Sequence, residues 1–140
     1  MLYGLENLDQ LYKRRDMDIM IIYIMTEAEA QLADIIWEQE PIGSGDLVKL
    51  AKEKLNWKKS TTYTVLRKIC NNDIFQNNDA VVTSKISKEE YLSRKGENYL
   101  EENYSGSLPG FVASFLKRKK LSKKELEELA QMIEEYTQEE

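Results

Sequence analysis

Two apolar stripes at helical spacing stand either side of a four-residue break, and no other feature constrains this chain as much. Leu47, Leu50, Ala51 and Leu55 form the first, Thr62, Val65, Leu66 and Ile69 the second, and "NWKK", Asn56 to Lys59, separates them. Residues three and four apart share a helix face. Each segment therefore reads as a short helix with one face to bury. The first starts at a cap from Ser44 or Asp46 and runs through Lys54, and the second spans about Lys59 to Asn71. Two short helices joined so tightly form a helix-turn-helix unit.

The flanks extend that unit. Upstream, "TEAE" pairs an N-cap Thr26 with Glu29 three residues on, a capping-box pattern, and Leu32, Ile35, Ile36 and Trp37 follow. "EPIGSG" ends that helix with Pro41 and two glycines. Downstream, Ile74 and Phe75, then "NND", then Val81, Val82 and Ile86 predict two short strands around a tight Asn-Asp turn, a hairpin rather than a sheet. A hairpin directly behind the second helix of the unit makes a winged helix.

Helical signals return at Ser87, a cap with Glu90 at the third helical position, and run to about Tyr104. "SGSLPG" breaks the pattern, a helix is expected from Phe111 to Lys120, and another begins behind Ser122 with Glu125 in the capping-box position. The expected fold is mainly α with a small β-hairpin: a winged helix-turn-helix followed by C-terminal helices. Residues 1–25 read as an N-terminal appendage with a leucine every third residue (Leu2, Leu5, Leu8, Leu11), 26–86 as the winged-helix domain and 87–140 as a helical region.

In winged helices the second helix of the unit meets the DNA major groove, N-terminal residues first. Projected at 100° per residue, Thr62, Val65, Leu66 and Ile69 face inward, whereas Ser60, Tyr63, Thr64, Arg67, Lys68 and Asn71 lie on or near the outer side. Hydroxyls and cations suit phosphate oxygens and base edges. Lys58 and Lys59 stand at the helix N-terminus, whose free N–H groups already favour a phosphate. Ser60, Thr61, Tyr63 and Thr64 are the expected readers of sequence, and Gln76, Asn77 and Asn78 the wing residues able to touch DNA.

Charge and composition remove competing classes. The whole chain carries −5, but Lys49 to Lys68 holds seven basic residues against one acid, Glu53, while Glu125 to Glu140 has seven glutamates and no base. No histidine is present, and Cys70 is the only cysteine, so the usual general base, a disulfide framework and a cysteine-based zinc site are excluded; no metal and no cofactor are expected. Nothing pairs the carboxylates in a pocket-like context, no nucleophile motif or Gly-rich phosphate loop occurs, and an enzyme is not expected. The apolar run "MDIMIIYIM", Met17 to Met25, is shorter than the roughly 20 residues that span a bilayer and includes Asp18, so a cytoplasmic protein without membrane insertion is expected.

The stretch "TEAE", then "IIWEQEPIGSGDLVKLAKEKLNWKKSTTYTVLRKICNNDIF", then "VVTSKISKEEYL" resembles the penicillinase-repressor family of BlaI/MecI/CopY type, over about Met25 to Tyr136. Trp57 ahead of Thr61 and Thr64, and "SKEEYL" behind the wing, are the most specific parts. The resemblance implies a winged-helix repressor that binds double-stranded operator DNA of palindromic sequence as a homodimer. It assigns the helices after the wing to dimerisation, with Tyr99, Phe111, Phe115, Leu116, Leu126, Leu129 and Ile133 as candidates. In the β-lactam-responsive branch of the family, a sensor-activated protease cuts this region before a Phe, which by alignment is the Ser114–Phe115 bond. Phe111, Phe115 and Leu116 also read simply as an apolar core stripe, and both readings can hold. The chain departs from the family at Ala30, where a Trp is common, at Tyr63 within the reading helix, and at Val81–Val82 in the wing. It lacks the Cys-rich C-terminal motif of the copper-responsive branch. The competing reading is a winged-helix protein–protein interaction module without DNA binding, its basic face covered by the acidic tail.

Overall fold

The computed structural model describes residues 23–139. The leucine stripe of the N-terminal appendage and most of the Met17–Met25 run lie outside the described residues. The chain divides into two compact units, one reaching Gly96 and the other Glu97–Glu140.

The first unit is a winged helix-turn-helix. Helix α1 spans Glu27–Gln39, strand β1 Ile42–Gly43, α2 Ser44–Leu55, α3 Lys59–Asn71, β2 Phe75–Asn78 and β3 Val81–Ser84, and α4, Lys88–Tyr104, begins in this unit. Thr26 caps α1 as its sequence predicts: the Glu29 N–H donates to Thr26 Oγ1 at 3.2 Å. The hydroxyls of Thr26 and Tyr23 in turn donate to Glu29 Oε1, at 3.0 and 3.1 Å.

Leu32, Ile35 and Ile36 of α1, Leu47 and Ala51 of α2, Leu66 and Ile69 of α3, and Phe75 and Val82 of the wing form one core. Each aliphatic side chain of that size stabilises the fold by about 1.5–3 kcal/mol. Trp37 joins the layers: its ring centroid lies 5.1 Å from that of Phe75 and 5.9 Å from that of Tyr91, and its Nε1–H donates to the Ile86 carbonyl at 3.1 Å.

The wing differs from the expected hairpin in two ways. It is a three-stranded antiparallel sheet of order β1-β3-β2, because Ile42–Gly43 pairs with Val82–Val81. A two-residue strand is too short to alternate visibly, and Pro41 and the glycines around it read as punctuation. The turn centres on Asp79 and Ala80, both left-handed at φ 50° and 63°, so Asn77 and Asn78 belong to β2. Two successive left-handed residues match the twist of a tight hairpin. Glu40 fastens the wing from below, its carboxylate accepting from the Ser84 N–H at 3.0 Å and the Ser84 hydroxyl at 2.8 Å.

Neither Ser44 nor Asp46 caps α2. Gly43 is the N-cap, without a side-chain bond, and the Ser44 N–H is satisfied by the Ala80 carbonyl at 2.8 Å.

In the second unit, α5 spans Leu108–Lys117 and α6 Lys123–Glu139. Helix α5 starts three residues earlier than the breaker pattern suggests. Ser107 caps it by accepting from the Gly110 N–H at 3.0 Å, and Pro109 sits in the first turn, where a missing N–H costs nothing. The Ser122–Glu125 capping box closes in both directions, at 3.2 and 3.1 Å. Tyr99, Tyr104, Phe111 and Phe115 form an aromatic chain with neighbouring centroids 5.0–6.1 Å apart. Among the described residues no helix is long and apolar enough to cross a membrane.

Candidate nucleic-acid interface

The turn between α2 and α3 consists of Asn56, Trp57 and Lys58. Asn56 takes the left-handed conformation (φ 57°), which suits Asn, and its N–H donates to the Lys52 carbonyl at 3.0 Å. Trp57, half-buried against the core, donates its N–H to Ala51 O at 3.3 Å. These contacts close α2 and set the start of α3.

Helix α3 is anchored through Thr62, Leu66 and Ile69, at 0, 3 and 0 % exposure. The inward Thr62 is accommodated because its hydroxyl donates to the Lys58 carbonyl at 3.2 Å. A buried hydroxyl left without a partner is costly, and this one is satisfied within its own helix. Lys58, Lys59, Ser60, Thr61, Thr64, Arg67 and Lys68 are all exposed, as is Asn71. No acid occurs in α3, and none of its cations is ion-paired among the described residues.

Tyr63 is the member of the predicted reading face that is drawn inward. It is half-buried against the core, and its hydroxyl donates to Ser44 Oγ at 3.5 Å. The ideal projection placed it on the outer side, but a long aromatic side chain at the edge of a helix face reaches back over the groove toward α2. Lys59 Nζ stands 6.0 Å from the centre of its ring.

The N-cap Lys58 makes no side-chain capping bond, so the first-turn N–H groups of α3 remain open. Beside them a concavity of ≈ 500 Å³ is lined by Val48, Lys52, Asn56, Trp57, Lys58 and Lys59. Three ammonium groups and a free helix N-terminus give it the positive electrostatics that favour an anion of phosphate type. Sequence reasoning counted Lys52 in the local charge but did not assign it to the site. The missing step was projection of α2, whose exposed face carries it next to the turn.

In the wing, Asn77 and Asn78 are exposed, whereas Gln76 is half-buried and donates to Thr83 Oγ1 at 3.1 Å. The tip itself is Asp79–Ala80, so a carboxylate rather than a cation leads the turn. Cys70 lies half-buried on α3, and burial pushes its thiol above the ordinary value.

Ser114 and Phe115 lie within α5, and the Ser114 hydroxyl donates to the Phe111 carbonyl at 2.6 Å. Tyr99, Phe115, Leu116, Leu126, Leu129 and Ile133 are exposed by 37–63 %, and Phe111 is half-buried.

Comparison with known proteins agrees with this architecture. The chain is 26% identical over 116 residues to a penicillinase repressor of Bacillus licheniformis, covering 80% of this chain and 91% of that protein. It is 24% identical over 120 residues to the methicillin resistance regulatory protein MecI of Staphylococcus aureus, covering 79% and 94%. A penicillinase repressor of Staphylococcus aureus is 22% identical over 110 residues, covering 76% and 87%. The penicillinase repressor family model matches residues 25–135, and the chain belongs to that family.

Proposed function

We propose that this protein is a cytoplasmic transcriptional repressor that binds a palindromic operator in double-stranded DNA as a homodimer. The observation that carries the reading is the outer face of α3. Six exposed predicted contact residues, with Lys58 at the N-cap and no acid among them, sit on a helix whose inner face is locked into a helix-turn-helix and backed by a wing. The N-terminal end of α3 enters the major groove, with Ser60, Thr61 and Thr64 toward base edges. Lys58, Lys59 and Lys52 hold a backbone phosphate at the helix N-terminus, while Arg67 and Lys68 meet phosphates further along. Asn77 and Asn78 reach the duplex from the wing.

The homodimer rests on the apolar side chains that one chain leaves uncovered. Leu126, Leu129, Ile133 and Tyr136 recur on one face of α6 at 37–65 % exposure, and a second copy supplies the apolar surface they need. Two copies related by a twofold axis then present two copies of α3 to half-sites about one helical turn apart.

Relief of repression follows from the same region. Cleavage of the Ser114–Phe115 bond by a sensor-activated protease divides the chain ahead of α6 and removes its contribution to the dimer. The bond is inside α5, so the helix must open locally before a protease can take it in extended form.

Selection of bound sequences from a random duplex pool, followed by a gel shift at low and high salt, tests the reading. The expected result is a palindromic consensus bound with steep salt dependence. Absence of binding to any duplex at low salt would sink it in favour of a protein–protein module.

A further inference from the structure

The longest uninterrupted cationic run in the chain is not on α3. Lys117, Arg118, Lys119, Lys120, Lys123 and Lys124 place six basic residues and no acid within Lys117–Lys124, in a protein of net charge −5. All six are exposed, and none forms an ion pair among the described residues. The nearest carboxylate in sequence, Glu125, is turned back onto the Ser122 N–H at 3.2 Å.

The run is held at both ends. Where α5 stops, Lys119 is left-handed (φ 56°), its N–H donates to the Leu116 carbonyl at 3.1 Å, and the Lys120 N–H donates to the Phe115 carbonyl at 3.0 Å. Where α6 starts, the Ser122–Glu125 box fixes the first turn. The cations thus stand on a knuckle of defined shape.

Helix stability does not explain them. Lys117 and Arg118 complement the C-terminal end of α5, but Lys123 and Lys124 open α6, at the end where a helix disfavours positive charge. Four or more cations are surplus to any capping role, and the two at the α6 N-terminus act against it. Their arrangement suits an external polyanion. Leu121 is the only apolar side chain in the run and is half-buried, so nothing is offered for insertion among lipid chains. A lattice of phosphates at the surface of a duplex requires no insertion.

We propose that the α5–α6 knuckle is a second, sequence-independent contact with the phosphate backbone of duplex DNA. It adds electrostatic affinity without adding base preference. The proposal rests on the DNA-binding reading above.

The test uses the full chain and its variant K117Q/R118Q/K119Q/K120Q, titrated by fluorescence anisotropy with a random-sequence duplex and with the selected operator across a range of NaCl concentrations. The expected result is a log–log salt slope shallower by about 2–4 and random-duplex affinity at least about tenfold lower, because each lost phosphate contact removes about 0.9 from the slope. The ratio of operator to random affinity stays the same. A charge-keeping variant, K117R/R118K/K119R/K120R, restores the parent slope, which separates charge from any disturbance of folding.

An unchanged slope in the glutamine variant overturns the proposal while leaving the α3 reading intact. Loss of binding to phosphatidylserine vesicles with no change on duplex DNA also overturns it, and assigns the knuckle to a lipid surface. Failure of the parent chain to bind any duplex at low salt removes the DNA-binding reading itself.

Discussion

Tyr63 of α3 donates its hydroxyl to Ser44 Oγ, the first residue of α2, across 3.5 Å. The side chain expected to read DNA from the middle of the helix thus also reaches across to α2, and its half-buried ring spans the two helices of the helix-turn-helix. The bond is long, so it contributes less than a well-formed hydrogen bond, and the half-buried ring does most of the bracing. Tyr63→Phe is expected to cost under about 1 kcal/mol and to leave operator discrimination unchanged. Tyr63→Ala removes the ring and should cost about 2–4 kcal/mol in urea unfolding, with a loss of DNA affinity that follows from a misplaced α3. A relaxed base preference in Tyr63→Phe at full stability would show that the hydroxyl reads DNA after all.

Under the proposed function, Thr64 and Lys59 are expected to divide specificity from affinity. Thr64 is exposed, and its hydroxyl donates to the Ser60 carbonyl at 2.9 Å, which leaves the oxygen lone pairs free to accept. Thr64→Ala is expected to relax preference at one base position per half-site by about 1–3 kcal/mol. Lys59 stands beside the open N-terminus of α3 and the lysine-lined concavity. Lys59→Ala should weaken binding to all duplexes alike and lower the salt slope by about 1. Quantitative binding to a panel of single-base operator variants at two salt concentrations measures both effects.

The contrast between Tyr63 and Thr64 marks how far sequence reasoning reaches here. Helix α3 was legible to the residue, Lys59–Asn71, because its stripe of Thr62, Leu66 and Ile69 coincides with the buried positions. The N-cap at Thr26 and the capping box at Ser122 were legible because they are local chemistry. Strand β1 was not, since Ile42–Gly43 pairs with a partner about forty residues away and has no internal pattern. The start of α5 was missed because "SGSLPG" contains both breakers and a cap, and only the Ser107–Gly110 bond distinguishes the two roles. Within the candidate site, helical projection fixed direction but not reach. It put Tyr63 and Thr64 on one side, and the length of the Tyr side chain separated them.

Tyr91 gives the fold a predictable response to alkali. It is 3 % exposed, its oxygen accepts from the Met25 N–H at 2.8 Å, and burial, with the nearby Glu29 carboxylate adding to it, raises its pKa above the ordinary value. In the unfolded chain the phenol ionises near its ordinary pKa of about 10, while the folded protein still holds the proton. Between those two values the unfolded state binds fewer protons, so stability falls as pH rises. Urea midpoints should therefore decline above about pH 9, and Tyr91→Phe should decline less. At pH 7 the same variant should be weaker by about 1–3 kcal/mol, because the buried Met25 N–H loses its acceptor. An equal alkaline decline in both proteins would show that Tyr91 does not contribute to it.

Leu129 and Ile133 test the proposed dimer, since they sit one helical turn apart on α6 and are 37 % and 63 % exposed in the single chain. If a second copy covers them, each contributes about 1.5–3 kcal/mol of apolar burial, and in a symmetric interface each is counted twice. Leu129→Glu/Ile133→Glu should raise the dimer dissociation constant at least about 100-fold, converting dimer to monomer in sedimentation at micromolar protein. The winged helix, whose core is built within residues 25–91, should keep its fold by circular dichroism. Affinity for a full operator should then fall toward that for a single half-site, because the second α3 no longer binds at the high effective concentration that linkage supplies. A dimer that survives the double substitution would place the interface elsewhere, with the aromatic chain of Tyr99, Phe111 and Phe115 as the next face to substitute.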